Sequence, residues 1–280
     1  MKRHTIRAAG VAALISAFCS LGGLSGTAIA GQPQPWQLGL QEQASPVMGQ
    51  LVSFHNLLLV IITVITLFVL ALMGYVMFRF SAKRNPQATK TSHNTLLEVA
   101  WTVVPVIILV VVAVPSFRVL YFLEQVPESE MTIKVTGRQW YWDYEYPDHN
   151  NIAFSSYMVQ EEDLKPGQPR LLATDTNVVL PVGTTVRIQI TAGDVIHAWA
   201  MPAFGIKKDA VPGRLNETWV RIEKEGLYYG QCSEICGVNH GFMPITVEAV
   251  SKEKFAEWVE QAKLAYGTPS REVAQATPAR

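Results

Sequence analysis

An N-terminal transmembrane α-helical hairpin followed by an all-β sandwich or barrel is the fold class this sequence predicts. Three observations carry it. Two long runs, 57–78 and 99–117, hold no formal charge. The stretch between them is basic, with Arg79, Lys83, Arg84 and Lys90. Beyond residue 130 apolar residues recur at every second position, and Pro-Gly, Pro-Val-Gly and Ala-Gly turns break the chain into short strands.

With 280 residues and 49% apolar composition, the chain could fill one large domain or a small domain plus membrane spans. The uneven distribution of apolar residues selects the second. Residues 1–30 open with Lys2, Arg3 and Arg7, run apolar through Val11–Leu24, and end on the small residues Ala28-Ile29-Ala30. That pattern predicts a cleaved signal peptide, with an uncleaved anchor as the alternative. Cleavage would remove Cys19 and leave two cysteines of the three. Residues 31–50, with Pro33, Pro35 and Pro46, are expected to be extended and to lie outside the membrane.

Residues 51–118 are then the hairpin, with spans at about 57–78 and 97–117. At 1.5 Å per residue a run of this length crosses roughly 30 Å of hydrocarbon. Pro105 and Pro115 sit inside the second span. Intramembrane proline is tolerated where a neighbour satisfies the freed carbonyls, so the hairpin is expected to pack against further protein. Two buried helices of a soluble protein would carry more charge than these do. The basic loop points to the cytoplasm, which puts both termini on the other side, in agreement with a secretory signal.

The net charge of zero is an average of unlike parts. Residues 119–267 hold 13 Lys and Arg against 20 Asp and Glu, a net of −7. This acidic segment offers no footing for nucleic acid. Met131–Tyr146, Thr184–Thr191 and Met243–Ala249 alternate as strands do. A last helix is expected after Ser251, its N-cap, with Phe255, Trp258, Val259 and Ala262 on one face. The tail, 268–280, is polar and reads as disordered. There is no internal repeat.

The chemistry is concentrated in Cys232-Ser-Glu234-Ile-Cys236-Gly-Val-Asn-His240-Gly-Phe-Met243, with His197 standing 35 residues earlier. Two thiolates, two imidazoles and a thioether are soft to borderline donors, a set suited to copper. One loop delivering Cys, His and Met, with a second His from a distant strand end, is the cupredoxin pattern, hence a cupredoxin-like Greek-key sandwich or barrel. A mononuclear blue-copper site has a single Cys there. Two cysteines four apart let both thiolates bridge two copper ions. Taken alone, the pair is equally compatible with a disulfide in an oxidising compartment. Two Cys and two His could also hold structural zinc, which would leave Met243 without a role.

The segments Gly-Arg-Gln-Trp140-Tyr-Trp-Asp-Tyr-Glu, Asp-Ala-Val-Pro-Gly-Arg-Leu-Asn and Tyr-Tyr-Gly-Gln-Cys-Ser-Glu-Ile-Cys-Gly resemble cytochrome c oxidase subunit II, over roughly residues 45–265. The resemblance implies a dinuclear copper centre held by His197, Cys232, Cys236, His240, Met243 and the main-chain carbonyl of Glu234. It further implies that the Glu234 carboxylate ligates magnesium or manganese shared with subunit I. Trp140 matches the tryptophan where the electron from cytochrome c enters; Trp142 reads as core. Glu145, Asp175 and Asp194 match docking acids, to which Asp148 is added from its place in the acidic stretch, although a lone surface acid is most often merely solvated. Lys208, Asp209 and Arg214 match a stretch packed toward subunit I.

Glu98 matches the mouth of a proton channel, with an interfacial carboxylate at a helix end as the equal alternative. The implied partners are oxidase subunits I and III, cytochrome c and the membrane. The implied place is a bacterial inner membrane, with the copper domain in the periplasm. A quinol oxidase subunit II would lack the copper ligands. A nitrous oxide reductase would be soluble and carry a second catalytic domain.

Overall fold

The computed structural model describes residues 31–87 and 89–267, so the expected signal segment (1–30) and tail (268–280) lie outside the described residues. Two helices lead: α1 (Pro46–Arg79) and α2 (Thr95–Glu124). Both are long and apolar enough to cross a membrane, and nearly all their side chains are exposed. The first begins earlier than expected, since the segment read as extended to residue 50 turns helical at Pro46. The cause is local. The Ser45 hydroxyl accepts from Met48 N at 3.0 Å and donates to Phe204 O at 2.7 Å, while Pro46 supplies a preset φ at the first helical position. At 1.5 Å per residue α1 is about 51 Å long, more than a bilayer core requires. Its first turn is buried against the β domain through Val47 and Met48.

A capping box starts α2. Asn94 Oδ1 accepts from Leu97 N at 3.2 Å, and Glu98 Oε1 reaches back to Asn94 N at 3.3 Å. The far end of α2 is tied to the β domain. Lys208 pairs with Glu124 at 3.0 Å, and the Trp219 indole donates to Phe122 O at 3.4 Å while packing edge-on against the Phe122 ring.

Among the described residues ten strands follow, in two five-stranded sheets. One has the order β3 (Ile152–Ser156), β2 (Tyr141–Tyr146), β1 (Met131–Arg138), β5 (Thr185–Ala192) and β8 (Asn216–Arg221). The other runs β4 (Val178–Pro181), β10 (Pro244–Val250), β9 (Gly226–Cys232), β6 (His197–Met201) and β7 (Ile206–Ala210). Each contains one parallel pair, β1 with β5 and β4 with β10; the other pairs are antiparallel. The expected fold class, a helical hairpin followed by a β sandwich, is what the chain adopts.

Alternation fills the space between the sheets. Ile133 and Val135 of β1, Val186, Ile188 and Ile190 of β5, and Ile245 and Val247 of β10 are fully buried. At roughly 1.5–3 kcal/mol per buried aliphatic side chain, this layer dominates the stability of the domain. Trp142 and Trp199 are buried too, and Trp199 Nε1 donates to the Tyr144 hydroxyl at 3.2 Å. Helix α3 (Lys252–Tyr266) closes one end, its Ser251 cap accepting from Lys254 N at 3.3 Å and its Phe255, Val259 and Ala262 buried.

Candidate metal centre

Two strand ends of the second sheet bring the sulfur and nitrogen donors together. His197 opens β6 and Cys232 closes β9, and the ladder places Trp199 opposite Cys232. The loop from Cys232 to Met243 then folds back over the strand ends, with Cys232 N donating to Met243 O at 3.0 Å. Gly137 is required beneath it, because a Cβ there would come within 2.8 Å of the His197 ring.

Close contacts link the donors one to the next. His197 Nδ1 lies 3.9 Å from Cys232 Sγ, Cys232 Sγ lies 3.8 Å from Cys236 Sγ, and Cys236 Sγ lies 3.5 Å from His240 Nδ1. The Glu234 carbonyl oxygen is 3.4 Å from Cys232 Sγ. Both cysteines are free and buried, and Met243 is buried at the base of the loop. The donor atoms of His197, Cys232 and Cys236 all fall within 4.8 Å of one another, the one such group among the described residues. His240, beyond Cys236, extends the row to four.

The electrostatics favour one thiolate and one thiol. Burial pushes the Cys232 thiol up, but hydrogen bonds from His197 and from the main chain at Glu234 and Ala198 outweigh it and bring it down to about 6. Burial and then the charge of the Cys232 thiolate push Cys236 up to about 12. Burial depresses the His197 imidazolium, yet Cys232 and Asp194 overcome this and hold its pKa above the ordinary value. Burial likewise raises Asp194, but hydrogen bonds from His197 and from the main chain of Gln139 and Val195 hold it low.

Family models for the transmembrane and periplasmic domains of cytochrome c oxidase subunit II match residues 33–119 and 131–250. The probable cytochrome c oxidase subunit 2 of Rickettsia felis is 58% identical over 236 residues, 84% of this chain and 75% of that one. The chain belongs to the cytochrome c oxidase subunit II family. The subunit 2 of Cereibacter sphaeroides is 46% identical over 274 residues, covering 91% of this chain and 90% of that one. The crystal structure of the periplasmic domain of the Bradyrhizobium japonicum subunit II is 52% identical, covers 51% of this chain and all of that one, and superposes with a TM-score of 0.48. Another solved structure, 52% identical over 51% of this chain and 97% of that one with a TM-score of 0.45, captures a mixed disulfide between a subunit II and a thioredoxin-like protein. This chain is therefore a membrane subunit of an oxidoreductase complex, the haem-copper oxidase.

Within this subunit II, the remaining predicted positions have distinct surroundings. Trp140 is half-buried in the turn between β1 and β2, and its Nε1 donates to the carbonyl of Cys236 at 3.1 Å. It lines a shallow depression of ≈ 410 Å³ with Gln139, Tyr141, Tyr157 and Phe242. Asp175 borders that region, its Oδ1 accepting from Tyr157 N at 2.8 Å. Glu145 does not: it pairs with Lys134 at 3.4 Å, five residues along β2 from Trp140 and so roughly 17 Å away at about 3.4 Å per residue. Asp148 lies farther along and accepts from Thr132 N at 2.7 Å. The Glu234 carboxylate faces Lys207 at 3.6 Å. Asp209 offers its carbonyl to Asn216 at 2.7 Å, and Arg214 sits in the turn after Val211.

Two contributions went unread in the sequence. Asp194 is hydrogen-bonded to a candidate ligand: its Oδ1 lies 2.8 Å from His197 Nε2, and its Oδ2 accepts from Gln139 N at 2.7 Å. The spacing Asp-x-x-His at a strand start was the available signal. Gln139 also donates its side-chain amide to Cys236 O at 2.8 Å, so one carbonyl receives both Gln139 and Trp140. Gly237 is needed below them, since a Cβ there would meet Trp140 at 3.0 Å and Gln139 at 3.1 Å.

Proposed function

We propose that this subunit takes electrons from reduced cytochrome c at a dinuclear copper centre and passes them to the haem of subunit I, where oxygen is reduced with proton pumping. The row Nδ1–Sγ–Sγ–Nδ1 carries the reading. Four donors around a single zinc would all lie within about 4.6 Å, twice a metal–sulfur bond. Here His240 falls outside the compact group of three, which suits two ions sharing the central sulfurs. A 3.8 Å separation of the sulfurs is far beyond the roughly 2.05 Å of a disulfide.

When bound, the copper pair supplies one-electron exchange. Cys232, Cys236, His197, His240, Met243 and the Glu234 carbonyl would hold it, the two cysteines contributing the thiolates and the histidines the imidazole nitrogens. Burial keeps water from the thiolates, and Asp194 fixes the His197 tautomer by holding Nε2–H. Trp140 stands one hydrogen bond from the main chain of a bridging cysteine, which supports its reading as the place where the electron enters. The −7 charge of residues 119–267 would attract a basic cytochrome c to the domain as a whole, with Asp175 bordering the Trp140 depression, while Glu145 and Asp148 would act from farther away.

Three further assignments belong to the same reading. The Glu234 carboxylate would hold magnesium or manganese with ligands from subunit I, displacing Lys207. Glu98, at the loop end of α2, would feed protons toward subunit I, its carboxylate being shared with the helix cap. The basic loop, read as cytoplasmic, supports a periplasmic place for the copper domain.

The test is spectroscopic. The full chain, reduced and reconstituted with copper, is expected to bind two ions and give a purple mixed-valence species by visible and EPR spectroscopy; a colourless protein lacking free thiols would overturn the assignment. Trp140→Phe should keep that spectrum while slowing electron uptake from cytochrome c at least tenfold, measured by stopped flow. Copper loading should also release protons. At neutral pH Cys236 retains its proton and Cys232 does not, so at least one proton should leave per site between pH 6 and 8. In weakly buffered solution this appears as acidification on adding copper, and affinity rises with pH.

A further inference from the structure

We propose that the loop before α1 is a membrane-surface anchor, seating Trp36 and Leu38 in the outer interface of the bilayer that α1 and α2 span. Residues 31–41 carry no formal charge. Both ends of the loop are fastened to the β domain. Tyr229 N donates to Gly31 O at 3.0 Å, Ala44 N to Ala203 O at 3.0 Å, and Glu223 N to Ala44 O at 2.9 Å. Between these fastenings the chain hangs as a loop whose tip is a turn, Gln37 N donating to Gln34 O at 3.2 Å. At that tip Trp36 is 98% exposed, and Leu38 is fully so.

The depth of the tip follows from its neighbours. Gly39 and Leu40 line one hollow with Val52, His55, Asn56 and Leu59 of α1. Six residues of non-helical chain and thirteen of helix each cover about 20 Å, so segment 39–45 runs back beside the first turns of α1. His55 and Asn56 directly precede the apolar run that starts at Leu57, within a stretch, 43–78, that holds no formal charge. Gly39 therefore lies level with the first residues of the hydrocarbon span, and Trp36, three residues away and so within about 10 Å of it, is in reach of the depth where headgroups meet acyl chains. Indole rings prefer that depth, being flat, apolar and equipped with one N–H donor. An uncharged loop with a Trp and a Leu at its tip suits a lipid surface of either net charge.

The experiment uses the assembled oxidase in its own membrane, with a photoreactive benzoylphenylalanine placed at position 36. Irradiation is expected to add phospholipid to this chain, seen as a mass shift; an adduct with another subunit would mean that protein covers the tip and would overturn the proposal. As a second reading, the full chain is placed in phosphatidylcholine nanodiscs brominated near the headgroup end of the acyl chains. The fluorescence lost on Trp36→Phe should be at least half quenched by bromine and little affected by aqueous iodide. Leu38→Trp in the Trp36→Phe background should restore the bromine-quenched component. Quenching by iodide alone would place the loop in water and sink the anchor.

Discussion

Replacing Cys236 by serine should cut copper from two ions per chain to at most one, abolish the mixed-valence spectrum and slow electron uptake from cytochrome c at least a hundredfold. The reason is position. Cys236 Sγ stands between Cys232 Sγ at 3.8 Å and His240 Nδ1 at 3.5 Å, so both halves of the row depend on it. A serine oxygen is harder and does not ionise near neutral pH, so it cannot replace a bridging thiolate. The fold should survive. The hold on the loop at this point is through the Cys236 carbonyl, which keeps its bonds from Gln139 and Trp140 whatever the side chain. A change in stability of about 1–2 kcal/mol is expected for burying the hydroxyl. Metal analysis with EPR checks the first part, and thermal unfolding of the copper-free chain checks the second. Cooperative unfolding with intact copper content would remove the bridging role.

Asp194→Asn should lower copper affinity by roughly 10–100-fold, the usual cost of losing a residue that orients a metal-binding histidine. The carboxylate accepts from Gln139 N and Val195 N and faces His197 Nε2, whereas an amide offers only one acceptor oxygen. One of those three donors must then go unpaired. If Asp194 served only to dock cytochrome c, affinity would stay unchanged and only the salt-dependent association rate would fall. The copper-free chain gives a second readout. His197 is held above its ordinary pKa, so its contribution is fully present below about 6.5 and fades as pH rises through the folded value. Asp194 is held low, so its contribution is present above about 4 and fades as pH falls through the folded value. The stability difference between parent and variant should therefore be greatest between about pH 4 and 6.5, and about 1 kcal/mol there because Asp194 is part-exposed.

Asp194 also marks the boundary of what the sequence could reveal. Charge-free runs, the basic loop and two-residue alternation gave the hairpin and the sandwich directly, because burial in lipid or between sheets leaves a periodic trace. The soft donors of the loop stood out by residue type and spacing, whereas the Glu234 carbonyl came only with the family resemblance. Hydrogen bonds between distant segments leave no such trace. Gln139 and Cys236 are 97 residues apart, and only the packing of the β1–β2 turn onto the loop brings them to 2.8 Å. The early start of α1 at Pro46 was hidden for a related reason: Phe204, far along the chain, fixes the hydroxyl of its capping serine. Glu145 and Asp148 belong to the same lesson from the other side, as their nearness to Trp140 in sequence becomes distance once β2 is extended.

The two parallel strand pairs bear on how fast this domain can be made. β1 pairs with β5 across some fifty residues, and β4 with β10 across about seventy. Contacts of such long range slow folding, since the ordering entropy must be lost before the pairing rewards it. Cys232 and Cys236 are not enclosed until β9 and β10 have joined their sheet. A newly made chain therefore passes through an interval in which these two thiols are not yet enclosed. The topology that later buries the two cysteines leaves them open at birth, so the time their thiols stay exposed is set by how fast the sheets close.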